Sequence, residues 1–387
     1  MQTRLPAMLA DTEQLVACES PSAVLDAVSR SAHNVAATGR QYLGAAPEPI
    51  VIDGRTHLRW RFGDGPARVL LLAHHDTVWP LGSLETHPFS VTDGVMRGPG
   101  TVDMKAGLVL GWHALAVLGV PDGVTLLVTG DEELGSPSSR GLIETEAAGC
   151  QAALVLEGAA SDGSLKTARK GVSLYRVRAV GRAAHAGIEP ERGVNATVEL
   201  AHQVLAVNAI ADPSRGTSVT PTALTSGTTS NTVPAEGSFV VDVRAWDAAE
   251  QQRVDAAMRA LRAVVPGAAL EVTGGPNRPP LAASASAGLF ARARSLAAEL
   301  GLAPLTSAAV GGGSDGNFTA GVGTPTLDGL GAVGGGAHAD DEHVLVAELP
   351  RRAALLAALI DDLLTGASGL TADGGPASRG TAEGGEA

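Results

Sequence analysis

The sequence is poor in the residues that mark several common classes of protein. Only two of its 387 residues are cysteines, Cys18 and Cys150, and they stand far apart without metal-type spacing. This excludes a disulfide framework and a thiolate metal site. Aromatic residues make up 3% of the chain, which leaves no stacking platform for nucleic-acid bases. The two cysteines are therefore expected to be buried free thiols.

Positive charge and long apolar runs are also scarce. There are 28 Lys and Arg against 41 Asp and Glu, a formal net charge of −13, without the clustered cations that bind phosphate. No apolar stretch approaches the roughly 18 residues that mark a membrane span. The first 16 residues mix Arg4, Asp11 and Glu13 and lack the order of a secretory signal. We therefore predict a cytoplasmic protein that binds neither nucleic acid nor membrane.

What the chain does contain is an alternation of strand-like and helix-like segments. Hydrophobic residues make up 44% of the sequence, and its length suits two domains. Short continuous apolar runs are typical of parallel strands that are buried on both faces. Their alternation with helical spacing predicts an α/β layer fold. The predicted strands are residues 69–73, 125–128 and 152–156, with a helix at 106–118.

Near Gly171 the pattern changes to strands in which apolar and polar residues alternate. This predicts a smaller sheet with one wet face and two helices on the other. The predicted strands here are 172–180, 239–245 and 269–273, and the helices are 193–208 and 253–265. We place this inserted domain at 172–281, between the parts 1–171 and 282–366 of a discontinuous first domain, whose later helices are 287–300 and 349–364. Residues 367–387 lack apolar periodicity and are predicted to be disordered.

Acidic and histidine side chains follow the predicted strands of the first domain. His74 and Asp76 follow one strand, Glu132 and Glu133 follow the next, and Glu157 follows the third. Residues two apart in an extended segment face the same way, so Asp76 is expected to accept a hydrogen bond from His74. Function in open α/β sheets collects at the carboxyl ends of strands. With Asp103 and His338, the set can hold two divalent ions and leave Glu132 as a base.

Each member of this set also has a structural interpretation. Asp103, in a glycine-rich turn before a helix, is a metal ligand or a helix cap. The acids from Asp131 to Glu133 are a metal site or a solvated turn, since adjacent carboxylates repel one another unless cations or solvent relieve them. His74 with Asp76 is a weak signal by itself. Only the joint pattern favours a metal site, and it suggests hydrolysis.

In combination, these motifs resemble the M20 family of zinc peptidases and amidohydrolases, above all its glutamate carboxypeptidase branch of carboxypeptidase G2 type. The resemblance covers nearly the whole chain to about residue 365. It implies a zinc-exopeptidase-like α/β catalytic domain with a mainly parallel mixed sheet, and an inserted α+β dimerisation or lid domain. The motifs are His-x-Asp-Thr-Val at 74–78, Gly-Pro-Gly-x-x-Asp-x-Lys at 98–105, Asp-Glu-Glu at 131–133, Glu157, Gly-x-x-x-His-Ala-Gly at 181–187, and the glycine-flanked His338.

The same resemblance implies a two-metal mechanism. The ligands that it implies are His74 and Glu157 at one zinc ion, Glu133 and His338 at the other, and Asp103 between the two. Glu132 is implied as the general base that takes a proton from water and passes it to the leaving amine. The peptide bond between Asp103 and Met104 is often cis in the family. Cobalt or manganese are alternatives to zinc, because carboxylate-rich sites accept all three.

In the inserted domain the resemblance implies residues that contact substrate. His185 matches a histidine that reaches across a homodimer to stabilise the oxyanion in the neighbouring subunit. Without the resemblance, it would be interpreted as a structural histidine. Asn231 and Arg244 match positions that help hold a substrate carboxylate, and otherwise read as a turn residue and a strand-edge charge. Gly312 and Ser314 match a turn that shapes the substrate pocket. The implied substrate is a small peptide or an N-acyl amino acid.

One departure and three alternatives remain open at this point. Glutamate-specific relatives carry a lysine soon after the position of Glu157, where this chain has Ser164 and, out of register, Lys166. The first alternative is an N-acyl amino acid deacylase of the same family. A serine hydrolase is suggested by Gly-x-Ser-x-Gly around Ser314, followed by Asp340 and His343. A protein that binds metal or peptide without turnover is the third, although it has no use for Glu132.

Overall fold

A computed structural model describes residues 1–366, and the prediction of disorder for 367–387 lies outside them. The described chain divides into two compact units. The first comprises Met1–Thr167, Ala283–Ala308 and the chain from Val322 on, and the second comprises Ala168–Ala282 and Ala309–Gly321. Residues 309–321 were predicted to belong to the first domain. These residues pack with the second unit because the Asn317 amide donates to the carbonyls of Lys170 and Pro279.

The secondary structure follows the predicted alternation over most of its length. Within residues 1–366 the helices are α1 (Leu5–Val16), α2 (Leu25–Leu43), α3 (Ser83–Thr86), α4 (Ala106–Val117), α5 (Arg140–Ala147), α6 (Ala196–Asn208), α7 (Ala248–Arg259), α8 (Ala283–Glu299), α9 (Gly316–Gly321) and α10 (Leu349–Thr365). The strands are β1 (Glu48–Ile52), β2 (Arg55–Phe62), β3 (Val69–His74), β4 (Ser90–Thr92), β5 (Val95–Arg97), β6 (Val124–Thr129), β7 (Ala152–Val155), β8 (Leu165–Arg169), β9 (Gly171–Val180), β10 (Ser218–Ser226), β11 (Glu236–Ala245), β12 (Ala269–Arg278), β13 (Ser307–Val310), β14 (Thr326–Leu327), β15 (Gly334–Gly335) and β16 (His343–Leu345).

A six-stranded mixed sheet forms the centre of the first unit. Its order is β1-β2-β6-β3-β7-β14. Strands β6, β3, β7 and β14 run parallel, β2 pairs antiparallel with β6, and β1 pairs antiparallel with β2. Every residue of β3, β6 and β7 is buried, which explains their continuous apolar runs. Each fully buried leucine in such a strand contributes about 1.5–3 kcal/mol. The predicted α/β class and mainly parallel mixed sheet are confirmed.

Helices cover the sheet and complete its core. Ten of the twelve residues of α4 are buried, and it packs on α1, α2 and α10. Gly107 permits this packing, because a Cβ there would lie 2.0 Å from the Leu156 carbonyl oxygen. A separate four-stranded sheet of order β15-β16-β5-β4 holds the loop that carries His338. The sheet therefore brings this late segment of the chain into the same unit as the earlier strands.

The second unit is an antiparallel sheet of order β10-β11-β9-β12 with α6 and α7 packed on one face. Helix α7 differs from its prediction at 253–265. It begins at Ala248 because the Asp247 carboxylate caps it by accepting from the Glu250 amide. It ends at Arg259, and the Glu199 carboxylate then accepts from the amides of Val264 and Val265. The cap at the start of this helix is therefore local, whereas the segment after its end is held by a residue 65 positions earlier in the chain.

No helix among residues 1–366 is long and apolar enough to cross a membrane.

Candidate active site

Three neighbouring strands deliver acidic and histidine side chains to one edge of the first sheet. Strand β3 ends at His74, the chain after β6 carries Glu132 and Glu133, and the chain after β7 carries Glu157. These strands are parallel and adjacent in the order β6-β3-β7. Their carboxyl ends therefore lie side by side. In open α/β sheets, ligands bind at this edge, beyond the carboxyl ends of the strands.

His74, Asp103 and Glu157 form the first of two compact groups. Each offers one ligand atom, and the three atoms lie within 4.8 Å of one another. The Nε2 atom of His74 is 3.1 Å from Oδ1 of Asp103 and 3.5 Å from Oε1 of Glu157. One imidazole nitrogen and two carboxylate oxygens thus converge on a single small space.

Asp103 also belongs to the second group, with Glu133 and His338. The Nε2 atom of His338 is 3.0 Å from Oε2 of Glu133 and 3.3 Å from Oδ2 of Asp103. His338 has a φ of 64°, a backbone conformation that non-glycine residues seldom adopt. The two oxygens of Asp103 are therefore divided between the groups, one to each.

The alternative role of Asp103 as a helix cap does not fit this geometry. Helix α4 begins at Ala106, and no side chain caps it with a hydrogen bond. The carboxylate of Asp103 faces the imidazole rings of His74 and His338 instead. The peptide bond between Asp103 and Met104 is cis.

The acidic turn after β6 is buried, so the interpretation as a solvated turn does not fit either. Glu132 is 7% exposed, and the side chain of Glu133 is 6% exposed. The fully buried Asp131 holds the turn in place by accepting from the backbone and hydroxyl of Ser138 and the hydroxyl of Ser139. The sequence did not predict this role of Asp131, because serines seven and eight residues away lie outside the short-range patterns of such hydrogen bonds.

Asp76 contacts more than the histidine that it was predicted to orient. The Nδ1 atom of His74 is 3.0 Å from the main-chain oxygen of Asp76 and 3.4 Å from its carboxylate. The two carboxylate oxygens accept from the backbone amides of Glu132 and Glu133, both at 3.2 Å, and from the Ser22 hydroxyl. The nearest atom of Asp76 to the His74 ring is therefore its main-chain oxygen and not the predicted carboxylate. Asp76 therefore fixes the position of the acidic turn as well as that of His74.

His75, which was expected to pack rather than bind, points away from the two groups. It is buried, with its ring nitrogens 3.1 Å from the Ser31 hydroxyl and 3.0 Å from the Thr56 carbonyl oxygen. Burial lowers the pKa of His75 to about 4. This histidine therefore stays neutral near pH 7 and is part of the buried core.

The two groups attract positive charge strongly. Burial lowers the pKa of His74, but hydrogen bonds to carboxylates, Asp103 foremost, outweigh it and hold that pKa well above its usual value. Hydrogen bonds to Asp103 and Glu133 raise the pKa of His338 to about 10. Burial, together with the negative charge of Asp103, raises the pKa of Glu133 to about 7. Binding of divalent cations at such a cluster would release protons from its histidines.

Comparison with known proteins identifies the family. The model of peptidase family M20/M25/M40 matches residues 70–362. The chain belongs to this family. Carboxypeptidase G2 of Pseudomonas sp. strain RS-16 is 35% identical over 317 residues, which are 79% of this chain and 76% of that protein. A succinyl-diaminopimelate desuccinylase of Methylorubrum extorquens is 31% identical over 324 residues, 76% of this chain and 82% of the relative.

A solved structure shows the same fold for an M20 relative. The M20 family metallo-carboxypeptidase Sso-CP2 from Sulfolobus solfataricus superposes with a TM-score of 0.74, covering 94% of this chain and 99% of that one. Sequence identity is 15%, so the likeness concerns the fold alone. Membership of the M20 family makes this protein a metallopeptidase or amidohydrolase.

The residues of this M20 protein fit a pair of divalent cations. The Oε1 atom of Glu133 is buried and has no hydrogen-bond partner within residues 1–366. A buried carboxylate oxygen without a partner is costly, and a cation would satisfy it. The donors of both groups are imidazole nitrogens and carboxylate oxygens, which suit zinc, cobalt or manganese.

The other predicted residues of this M20 protein lie in the second unit. His185 and Asn231 are neighbours there, because the amide of Ala186 donates to the Asn231 carbonyl and His185 pairs with Thr232. The ring of His185 accepts from the Gly187 amide through Nδ1 at 3.1 Å. This bond leaves Nε2 as the protonated nitrogen and therefore as a donor.

Arg244 and the glycine-rich turn are both engaged within the second unit. The Nε and Nη2 atoms of Arg244 donate to the two carboxylate oxygens of Asp242, each at 2.8 Å. Ser314 is fully buried, and its hydroxyl accepts from the Gly316 amide. The carbonyl of Gly312 accepts from Arg169 at 3.1 Å. This turn is therefore held by hydrogen bonds to its own unit.

The arrangement of Asp340 and His343 does not resemble a hydrolase triad. The carboxylate of Asp340 is 91% exposed and lies 3.4 Å from His87. The Nδ1 atom of His343 is 2.8 Å from the main-chain oxygen of Asp341. In a triad the acid orients the histidine, and here each has a different neighbour.

Proposed function

We propose that this M20 protein is a two-metal hydrolase that cleaves an amide bond next to a free carboxylate, with Glu132 as its general base. The bond is the C-terminal peptide bond of a small peptide or the amide of an N-acyl amino acid. The observation that carries the proposal is the pair of three-residue groups that share Asp103. Glu132 is buried beside Glu133 in the same turn, yet it belongs to neither group.

The proposed ligands divide as the two groups do. His74 and Glu157 hold one ion, Glu133 and His338 hold the other, and Asp103 serves both. Zinc is the proposed metal, with cobalt or manganese as substitutes. When bound, the two ions polarise the scissile carbonyl and favour deprotonation of water.

The chain's own residues perform the proton transfers. Glu132 accepts a proton from the attacking water and returns it to the nitrogen of the leaving amine, so that the C–N bond breaks without expelling an amide anion. Asp76 keeps Glu132 in place through the backbone hydrogen bond at 3.2 Å. In the proposed homodimer, His185 donates from Nε2 to the oxygen on which negative charge develops in the site of the neighbouring subunit.

We assign substrate recognition to Asn231 and Arg244, with the turn of Gly312 and the buried Ser314 shaping the substrate pocket. Arg244 remains suited to a carboxylate after pairing with Asp242, because a guanidinium has five N–H donors and this pair uses two. Ser164 stands near the position where glutamate-specific relatives carry lysine, and its hydroxyl is buried against Thr306 at 2.7 Å. We therefore do not restrict the substrate to a terminal glutamate.

A second candidate is an N-acyl amino acid deacylase with the same metal site. The desuccinylase relative, which its name describes as removing an acyl group, favours this possibility. Comparing kcat/KM for N-acyl amino acids with that for C-terminally varied dipeptides distinguishes the two.

Removal of metal is expected to abolish hydrolysis. A strong chelator should empty both groups, and zinc or cobalt should then restore the activity found in the substrate screen. The measurement is the rate before chelation, after it and after metal is returned, with a serine-directed reagent in parallel. A rate that survives chelation and disappears with the serine reagent would contradict the proposal and favour Ser314.

We further propose that the protein acts as a homodimer. Helix α6 exposes Leu205 by 71% and Val198 by 45%, and these two apolar side chains are seven residues apart, on the same face of the helix. Strand β10 lies at the edge of its sheet, where unpaired backbone groups are available to another chain. Both features lie in the second unit and support its proposed role in dimerisation.

Cytoplasmic location remains a prediction, and the free cysteines Cys18 and Cys150 agree with it.

His185→Ala is expected to impair turnover without reducing metal content. The reason is that His185 belongs to neither metal group, while its loss removes a donor to the developing oxyanion. Loss of one such donor costs about 100- to 1,000-fold in kcat. If the sites are shared across a dimer, mixing His185→Ala with Glu132→Gln should restore part of the activity. Mixtures that exchange subunits but stay inactive would count against that arrangement.

A further inference from the structure

Glu342 has a buried carboxylate that is surrounded by hydrogen-bond donors. The residue is 3% exposed. Its Oε1 atom accepts from the backbone amides of Val102 at 2.9 Å and Asp103 at 3.1 Å. Its Oε2 atom accepts from the Gly100 amide at 2.9 Å and from the Trp79 indole at 2.7 Å. Four N–H donors thus take the place of water around this one side chain.

These hydrogen bonds connect the turns that carry two of the proposed metal ligands. Gly100, Val102 and Asp103 belong to the turn before α4, whereas Glu342 lies four residues after His338. The loop around His338 is itself closed by backbone hydrogen bonds from Ala339 to Gly336 and from Glu342 to Ala339. A displacement of either turn therefore requires that bonds to the Glu342 carboxylate break.

The turn before α4 is shaped to present its amides to this carboxylate. Gly100 has a φ of 73°, which glycine adopts freely, and a Cβ at this position would lie 2.5 Å from the methyl group of Thr77. The amide of Asp103 donates to Glu342 while its two carboxylate oxygens face the histidines. The main chain of Asp103 is thus anchored on one side and its side chain is presented on the other.

We propose that Glu342 is a positioning residue that sets the separation of Asp103 and His338, and thereby the affinity of the second group for its metal ion. This inference rests on the metal site of the proposed function. Glu342 contacts no proposed ligand atom and acts through the backbone of Asp103. Groups that orient metal ligands in this way change metal affinity by about 10- to 100-fold when they are altered.

The test compares Glu342→Gln with Asp341→Asn by titrating the metal-free proteins with zinc in a calorimeter. Glutamine keeps the size of the side chain, but its NH₂ group faces donors where an oxygen accepted them. We expect a loss of about 10- to 100-fold in zinc affinity at one of the two sites. Asp341 is the adjacent exposed carboxylate, and its change to Asn should leave both affinities unchanged.

Cobalt absorption adds a readout that a purely structural role would not change. In Glu342→Gln the visible spectrum of the second cobalt equivalent should shift, while a melting temperature measured without metal stays near the wild-type value. If Glu342→Gln does not fold, Trp79→Phe replaces it, because this change removes one of the four donors. The expected loss of zinc affinity for Trp79→Phe is about tenfold, the lower end of that range.

The outcomes separate this inference from the proposed function. Wild-type protein that binds no zinc would overturn the proposed function and this inference with it. Wild-type protein that binds two zinc ions, together with Glu342→Gln of unchanged affinity and cobalt spectrum, would overturn this inference alone. Where Trp79→Phe has to stand in, unchanged zinc affinity in that variant has the same consequence.

Discussion

Glu132→Gln is expected to lower kcat by about 100- to 10,000-fold, the usual contribution of a general base, while the protein keeps two metal ions. Glutamine has the size of glutamate but accepts no proton from water. The ligand atoms of both groups come from other residues, so metal binding should persist. The measurement is kcat on the best substrate of the screen together with metal content by mass spectrometry.

Glu133→Gln is the matched control, since it makes the same chemical change one residue further along. The Oε2 atom of Glu133 lies 3.0 Å from His338 in the second group, so this variant should lose metal as well as activity. Unchanged turnover in Glu132→Gln would remove Glu132 as the base. Loss of one metal ion in Glu132→Gln would make it a ligand instead.

The elements that position the site were predictable because their sequences carry the signal locally. Strand β3, predicted at 69–73, ends one residue later at His74, and β7, predicted at 152–156, ends one residue earlier at Val155. Continuous burial on both faces of a parallel strand leaves an apolar run with sharp ends. The residues just beyond those ends were therefore identifiable as candidates from the sequence.

Features that depend on distant contacts were not predictable in this way. The prediction for α7 extended past Arg259, where the chain leaves the helix and is held by Glu199, 65 residues before Val264. The segment 309–321 packs with the second unit through Asn317 and through the buried pair of Arg278 and Asp315. None of these contacts leaves a periodic pattern in the sequence.

The site shows the same division between local and distant information. The proximity of His74 to Asp76 followed from their spacing of two residues in an extended segment. The four donors on Glu342 come from residues about 240 or more positions earlier in the chain, and only the fold brings them together. The proposed metal ligands were thus easier to predict than the residues that hold them in place.

Asp103→Ala is expected to remove both metal ions and to reduce hydrolysis at least as far as Glu132→Gln does. Asp103 is the residue common to the two groups, with Oδ1 3.1 Å from His74 and Oδ2 3.3 Å from His338. Alanine leaves each group with two of its three residues. Changes to groups that only support ligands already cost about 10- to 100-fold in metal affinity, so removal of a shared ligand should cost more.

Thermal unfolding in the presence and absence of zinc measures this effect independently of any substrate. At a zinc concentration 100 times the dissociation constant, one bound ion stabilises the folded wild-type protein by about 2.7 kcal/mol. Zinc should therefore raise the melting temperature of the wild-type protein, but leave that of Asp103→Ala nearly unchanged. Glu157→Gln, which alters the first group alone, should retain one metal ion and an intermediate shift. If Asp103→Ala bound two zinc ions with wild-type affinity, Asp103 would not be the shared ligand, and the two groups would have to hold metal separately.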